Sequence, residues 1–427
     1  MLALHWQLAR TERWPAERLV AHQFFQIRQL LAHAIANVPF YRSHLERCGV
    51  SSPDELGPES FARWPLLRIR DVQDSNAQLR AVRLPESHGV VFERFTSGST
   101  AAPKRIASTD AAALVQSALV LRDHLWQQRD LSAKFAAIRF FHKQGVQPGW
   151  SPTTNAAFAT GPSAVLGVER PVDEQLRWLV AEDPAYLLTS PSNLNALVRQ
   201  SVETGVRPHA LRQVLTYAEV LDPSLRTKVM AAWGVPLADT YSTTEAGPIA
   251  LQCPGRTTYH VQSESVYAEV LRDDGTPCPP GEVGRLVVTP LHNFAMPLLR
   301  YDSGDYAIAG EACPCGRGLP VLERVIGRAR NMARDAKGRR FQPGFDVALD
   351  ASRLPVRQVR FVQQTYENIQ MSYVADRDLT SAEMEAFQRS VREKLPYRLK
   401  IGFRRVAEIE RSPSGKYESF VSLVDDA

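Results

Sequence analysis

Five consecutive positions, Thr96-Ser97-Gly98-Ser99-Thr100, carry only hydroxyls and a glycine, and Lys104 stands close behind. Small residues of this kind let backbone N–H groups crowd around an anion, so the segment reads as a place for phosphate oxygens, with the lysine as added charge. It departs from the nucleoside-triphosphatase loop pattern, because Pro103 precedes the lysine and Arg105 follows it. Three further stretches carry compatible chemistry. In "YSTTEAG", Tyr241 to Gly247, one carboxylate (Glu245) stands among hydroxyls. A lone carboxylate suits Mg²⁺, which keeps most of its waters and takes only one or two such ligands. Tyr241 adds a flat face on which a base can stack. In "LLRYDSGDYA", Leu298 to Ala307, Asp305 follows a turn glycine and can accept from both hydroxyls of a ribose. Near the C-terminus, "SPSGK" puts Lys416 behind Ser414-Gly415 on a loop. Taken singly, the same residues also describe a Ser/Thr-rich turn, a solvated glutamate, a β-turn aspartate and a surface lysine.

The cysteines form a second group. Cys313-Pro314-Cys315 is a tight pair, and "CPGRTTYH" supplies Cys253 and His260 from another loop. Three cysteines and a histidine make a closed, tetrahedral structural zinc set, although unpaired loop thiols would look the same in sequence. Cys278 stands in a turn and Cys48 follows the N-terminal helices, where it reads as packing. Five cysteines in 427 residues are too few for a disulfide scaffold.

These groups need elements to hold them. The chain is long enough for more than one domain and has an ordinary globular composition, 44% hydrophobic and 23% charged. Its net charge is only +5 and the basic residues are scattered, which argues against a nucleic-acid partner. No apolar run approaches the ~20 residues of a membrane helix. The start, "MLALHWQLARTERW", is charged and interrupted, so a cytoplasmic protein is expected. Apolar spacing predicts an amphipathic helix over Arg18–Val38, ended at "NVPFYR". From about Gly89, strands ("GVVFERF", "AYLLTSPS", "RQVLTYAEVL", "VPLADTYS") alternate with helices ("NLNALVRQSVE", "PSLRTKVMAAW"). That alternation predicts an α/β sheet, with "TSGST" and "YSTTEAG" beyond the C-terminal ends of strands, where such sheets bind ligands. "GRLVVTPL" predicts a further β-rich part of the same body. The tail predicts a β-β-α-β lobe from "VRFVQQ", "NIQMSYVA", a helix boxed by Thr380 and Glu383, and "KIGFRRVAEI". Their junction is expected within Val325–Arg340.

In this order, the stretches resemble the adenylate-forming superfamily of acyl-CoA ligases, adenylation domains and luciferases, in its phenylacetate–CoA ligase branch with capsule-biosynthesis-related relatives. "TSGSTAAPK" is similar to the family's phosphate loop, "YSTTEAG" to its aromatic-to-glutamate motif and "RYDSGD" to its ribose motif. "GRARNM" resembles the hinge and "SPSGK" the catalytic-lysine motif, while "NVPFYR", "SPSNLNAL" and "CPCGRGLPVL" extend the likeness along the chain. The resemblance implies a large N-terminal α/β body (residues 1–326) that binds ATP and an acid. It also implies a mobile α+β lid (residues 327–427). It assigns Thr96, Ser97, Gly98, Ser99, Thr100 and Lys104 to the β- and γ-phosphates, Tyr241 to adenine, Thr244 to the α-phosphate and Glu245 to Mg²⁺. Asp305 and Arg328 would hold the ribose, Arg330 would be the hinge, and Lys416 would bridge the substrate carboxylate and the α-phosphate. Some relatives bind zinc through residues matching Cys253, His260, Cys313 and Cys315, and relatives of this branch dimerise.

The implied reaction is activation of a small carboxylic acid, expected to be an aryl acid, as an acyl-adenylate, followed by transfer to the thiol of coenzyme A. An amine or a carrier-protein thiol is the alternative acceptor. The stretch Phe140–Gly167 is expected to line part of the acyl pocket. Three departures from the family stand out: Ala101-Ala102 where the loop is usually richer in glycine, Arg330-Asn331 at the hinge, and Ser242 where glycine is usual. The altered loop and hinge support a reading from another class, a degenerate nucleotide-binding or scaffold protein. The presence of Glu245, Asp305, Arg328 and Lys416 opposes it.

Overall fold

A computed structural model describes residues 1–42, 52–95, 104–140, 144–337, 340–341, 343, 345, 349, 354–394, 399–410 and 418–424, and the statements below concern those residues. The chain forms two compact units, Met1–Leu221 with Val229–Val325, and Asp222–Lys228 with Ile326–Ala427.

The first unit opens with α1 (Leu2–Thr11) and α2 (Ala16–Asn37). In α2, Leu19, Phe24, Ile27, Leu30, Leu31 and Ala34 recur at helical spacing and are all buried. The helix stops where Val38 turns extended before Pro39, as a residue preceding proline must. Next come β1 (Val91–Phe95) and β2 (Arg105–Thr109), which pair antiparallel as a separate two-stranded sheet. This corrects the expectation that the Ser/Thr-rich loop leaves a strand of the main sheet. The Thr96–Lys104 connection is shorter than the dozen or so residues a parallel crossover needs, so only a hairpin can close it.

The main sheet has twelve strands. Its first part holds β3 (Phe135–Arg139), β4 (Gly145–Gln147), β5 (Ser163–Gly167), β6 (Tyr186–Thr189), β7 (Gln213–Thr216) and β8 (Leu237–Thr243). The order β5-β3-β6-β7-β8 is parallel throughout, with β4 antiparallel at the edge. The second part holds β9 (Gly247–Gln252), β10 (Tyr259–Val261), β11 (Val266–Leu271), β12 (Val283–Pro290), β13 (Tyr301–Ala309) and β14 (Val321–Arg328), in the order β9-β10-β14-β13-β12-β11. β8 joins the two parts, parallel to β7 and antiparallel to β9. Helix α3 (Asp110–Trp126) follows β2, and α4 (Val172–Glu182), α5 (Pro191–Thr204) and α6 (Pro223–Trp233) are the crossovers into β6, β7 and β8. Trp150, within the stretch expected to line the acyl pocket, instead packs into a core cluster with Phe135, Ala185, Tyr186 and Leu215.

Buried polar groups stitch the N-terminus to this body. Arg122 of α3 donates to Glu264 Oε1 at 2.8 Å, Gln262 Oε1 at 2.8 Å and the Leu8 carbonyl at 2.7 Å. Thr11 donates to the same Glu264 oxygen at 2.6 Å. Burial alone would raise the Glu264 pKa, but the Arg122 charge and hydrogen bond hold it below the usual range.

In the second unit, β17 (Gln358–Gln363) and β18 (Asn368–Val374) pair antiparallel, and α7 (Ser381–Lys394) leads to β19 (Lys400–Arg405) parallel to β18. Short β15 (Ala333–Arg334) and β16 (Arg340–Phe341) precede them. Thr380 and Glu383 form the expected capping box, N–H to Oε2 at 2.8 Å and N–H to Oγ1 at 3.3 Å. The lobe also has an unanticipated strand, β20 (Phe420–Ser422), parallel to β17. Three residues are too short a run to announce a strand by pattern.

Arg122→Met strands the Glu264 carboxylate in the interior and is expected to cost about 3–5 kcal/mol, read as a lower midpoint in urea unfolding. Adding Glu264→Gln removes the orphaned charge and is expected to restore most of that loss.

Candidate active site

Two polar groupings form where the halves of the main sheet meet. The first joins Tyr241 of β8 to Asp305 of β13, with the phenol donating to Oδ2 at 2.7 Å. β8 is braced from both flanks at Asp239, which accepts from Thr216 of β7 at 2.5 Å and Tyr259 of β10 at 2.6 Å. The aspartate is placed by a bulge. Val287 pairs with Asp302 and Arg285 with Tyr306, so Ser303, Gly304 and Asp305 together oppose Leu286. Gly304 takes φ +74°, which only glycine adopts freely, and Ser303 Oγ donates to the Leu286 carbonyl at 2.8 Å. Such bulges re-aim a side chain out of the ladder. Arg285 fixes the base of the bulge through Asp302 at 2.7 Å.

The second grouping is buried. Lys104 Nζ lies 2.5 Å from Glu245 Oε1 and donates to the Tyr301 hydroxyl at 2.7 Å, while that hydroxyl donates to the same Glu245 oxygen at 3.0 Å. Lys104, Glu245 and Tyr301 are 7%, 6% and 1% exposed, so the pair is nearly dry. Burial pushes the Glu245 carboxyl up, but the Lys104 charge, its hydrogen bond and the Tyr301 hydroxyl outweigh it and hold the pKa below the ordinary 4.5. Glu245 stands in the Thr244–Ala246 turn between β8 and β9, tied by the Ala246 N–H to Thr243 Oγ1 at 3.2 Å. Gly247 closes the turn at φ +72°, and a Cβ there would meet the Gln116 side chain at 2.6 Å.

The other expected residues are distributed as follows. Thr244 is half-buried beside Glu245. Arg328 ends β14, and Arg330 lies in the short helical turn Ala329–Asn331, paired with Glu418. Both arginines belong to the second unit. Thr96, Ser97, Gly98, Ser99, Thr100, Lys416 and Cys48 lie outside the described residues.

Cys253, His260, Cys313 and Cys315 converge, with all four ligand atoms within 4.8 Å of one another. Cys253 Sγ lies 3.8 Å from Cys313 Sγ, and Cys315 Sγ lies 3.2 Å from His260 Nε2. On the far side of the ring, His260 Nδ1 faces the Leu319 carbonyl at 3.4 Å, which leaves Nε2 to the sulfurs. Burial pushes His260 down to about 4, so it is neutral at pH 7, and raises the Cys253 thiol to about 12.

With this geometry in place, residues 34–295 match the family model for AMP-binding enzymes. The chain belongs to the AMP-binding enzyme family. Within it, the phenylacetate–coenzyme A ligase of Thermus thermophilus is 28% identical over 332 residues, covering 75% of this chain and 73% of that protein. The ligase of the same name from Escherichia coli K12 is 24% identical over 325 residues, covering 74% and 72%. Among solved structures, a 2-hydroxyisobutyryl-CoA ligase in its postadenylation state superposes with a TM-score of 0.78 at 20% identity, covering 97% of this chain and 91% of that one. These likenesses put the chain in the phenylacetate–CoA ligase-like branch of the adenylate-forming superfamily.

Two features of this family member escaped the sequence reading. Tyr301 reads as a core aromatic at a strand start, and only tertiary packing brings its hydroxyl between Lys104 and Glu245. Lys104, expected on phosphate, is here paired with Glu245, a contact the sequence did not announce, because a buried carboxylate draws the cation that can reach it.

At pH 7.5, Lys104→Met is expected to destabilise the fold by about 3–5 kcal/mol in urea unfolding, and Glu245→Gln added to it to recover most of the loss. In the wild type, the depressed Glu245 pKa contributes stability that is present above pH 4.5 and is lost as pH falls through the lower folded value. The single variant reverses this sign. Glu245 is then raised by burial, and the deficit is expected to shrink as the pH is lowered to 5.

Proposed function

We propose that this chain catalyses ATP-dependent activation of a carboxylic acid, expected to be an aryl acid, to an acyl-adenylate with release of pyrophosphate, then transfers the acyl group to coenzyme A. The carrying observation is the pairing of Lys104 with Glu245 and of Tyr241 with Asp305, residues of three sequence motifs, about the β8–β9 turn and β13 in a family of AMP-binding enzymes. The relatives named phenylacetate–coenzyme A ligase support coenzyme A as acceptor.

In this reading Tyr241, anchored by Asp305, lies against the base, and Asp305 with Arg328 takes the ribose. Thr96, Ser97, Gly98, Ser99 and Thr100 cradle the leaving phosphates, with Thr244 at the α-phosphate. Glu245 fits a Mg²⁺ held mainly by substrate oxygens, since Lys104 and Tyr301 both engage Oε1 and the buried carboxylate stays ionised. Mg²⁺ bound there would supply positive charge where the two anions meet. Lys416, from the second unit, neutralises the meeting of acid carboxylate and α-phosphorus. Rotation about Arg330 then withdraws it and admits the thiol. We read the chain as a cytoplasmic enzyme.

The Cys253–His260–Cys313–Cys315 cluster fits a structural zinc. A tetrahedron with Zn–S bonds of about 2.3 Å has edges of ~3.8 Å, the Cys253–Cys313 spacing, and the neutral His260 presents Nε2. Four protein ligands leave no open position, so the metal would tie the Cys253, His260 and Cys313–Cys315 segments together.

Exchange of labelled pyrophosphate into ATP, screened over aryl and aliphatic acids, tests the first half-reaction, and its absence across the whole panel would favour a non-catalytic nucleotide-binding role. Lys416→Ala is expected to cut that exchange by ~10³-fold while leaving thioester formation from a supplied acyl-adenylate within a few-fold, and equal loss of both steps would refute the rotation. Metal analysis of the purified protein is expected to find one zinc per chain, with Cys253→Ser losing it and unfolding at lower temperature.

A further inference from the structure

Asp239 stands two residues before Tyr241 on β8, and the sheet register carries it to the cysteine–histidine cluster. In the β8–β9 pair Thr240 is opposite Leu251 and Tyr241 opposite Ala250, and in the β9–β10 pair Leu251 is opposite His260 and Gln252 opposite Tyr259. Side chains alternate along a strand, so Asp239, Tyr241, Gln252 and Tyr259 share one face and His260 takes the other. The contacts follow that register. The Asp239 N–H donates to Gln252 Oε1 at 2.8 Å, and the Tyr259 hydroxyl reaches over β9 to Asp239 Oδ2 at 2.6 Å. Thr216 of β7 donates to the other carboxylate oxygen at 2.5 Å.

Both residues that grip Asp239 are chain neighbours of cluster ligands: Gln252 precedes Cys253, and Tyr259 precedes His260. The turn between them is tied into the same grip. The Cys253 N–H donates to the Thr258 carbonyl at 2.9 Å, and the Gln252 side-chain amide donates to the Arg256 carbonyl at 2.6 Å. β10 spans only three residues, and β14 pairs with it at two positions, Leu322 opposite Tyr259 and Val321 opposite His260. A backbone held by so few ladder bonds opens locally at little cost. The cluster ligands come from the start of that turn, from β10 and from the loop ahead of β14. A metal on all four would pin the three segments together and hold β10 in place.

We propose that Asp239 is a positioning residue that couples the metal cluster to the nucleotide. With a metal on Cys253, His260, Cys313 and Cys315, Gln252 and Tyr259 are fixed, their bonds fix Asp239, and Asp239 sets Tyr241 for the base. This rests on the reading that lays Tyr241 against adenine. Metal and nucleotide then bind with positive coupling from opposite faces of the sheet, and such coupling is reciprocal. The carboxylate matters because it accepts from Thr216 and Tyr259 at once. An asparagine has one acceptor oxygen, so one of those two hydroxyls would face an NH₂ instead.

The test measures AMP binding by calorimetry in zinc-loaded protein and in protein stripped with a chelator. Stripping is expected to weaken AMP binding by ~5–50-fold in wild type. Asp239→Asn and Tyr259→Phe are expected to keep their zinc, while stripping changes their AMP affinity by less than about twofold. A merely structural role would lower affinity in both metal states and leave the zinc effect intact. Amide hydrogen exchange over Leu237–Thr243 gives a readout that needs no nucleotide. Zinc is expected to slow it by at least ~5-fold in wild type, and not in Tyr259→Phe. Equal AMP affinity with and without zinc in wild type, a zinc effect that survives in either variant, or failure of the chain to take up zinc would overturn the inference. Should the stripped protein unfold, zinc-loaded Tyr259→Phe decides: weaker AMP binding with faster exchange over Leu237–Thr243 supports the coupling, and wild-type values sink it. Should AMP bind neither form, the nucleotide reading fails alone. Zinc-slowed exchange that Tyr259→Phe abolishes then sustains the coupling, and unchanged exchange sinks it.

Discussion

A buried glutamate needs a cation, and much of this site follows from that requirement. Glu245 stands in a turn between two buried strands, where an unpaired carboxylate would take up a proton. Lys104 meets it at 2.5 Å, and Tyr301 bonds both partners, so the charge is kept inside the protein without open water. Because Lys104 leads directly into β2, the pair also locks the end of the β1–β2 connection to the β8–β9 turn. One ion pair thereby joins the start of β2 to the turn that carries Glu245.

The hydrogen-bonded pair Tyr241 and Asp305 depends on a different device. A regular strand would turn alternate residues to alternate faces, and Asp305 would follow the ladder. The three-residue bulge opposite Leu286 breaks that alternation, and Gly304 supplies the backbone freedom to make it. The phenol of Tyr241 then reaches the carboxylate. Asp239, two residues earlier, receives hydroxyls from the adjacent β7 and from β10, one strand beyond β9, so the strand carrying Tyr241 is held from both sides.

The cysteine–histidine cluster belongs to the same framework. Cys253 follows β9, His260 is on β10, and the Cys313–Cys315 loop links β13 to β14. Tyr259, next to His260, is the residue that binds Asp239. Arg317 of the same loop reaches Glu12, which also accepts from Trp126. A closed ligand set here would stiffen the scaffold that holds Asp239 and, through it, the strand carrying Tyr241.

The hydrophobic spacing of Leu19 to Ala34, the strand–helix alternation from Tyr186 to Thr243, and the capping box at Thr380 and Glu383 were legible in the sequence, because each depends on neighbours within a few residues. So were the motif residues Glu245, Asp305 and Tyr241, and the grouping of three cysteines with His260, since chemistry is written in residue type and order. Contacts remote in sequence were not legible. The commitment of Lys104 to Glu245, the hydroxyl of Tyr301 between them, the hairpin that carries the Ser/Thr-rich loop and the short strand Phe420–Ser422 were decided by tertiary structure. Residue types and spacings determined which chemistry this protein could perform; which cation neutralises which carboxylate was settled only by folding, because buried charges pair with whatever packing brings within reach.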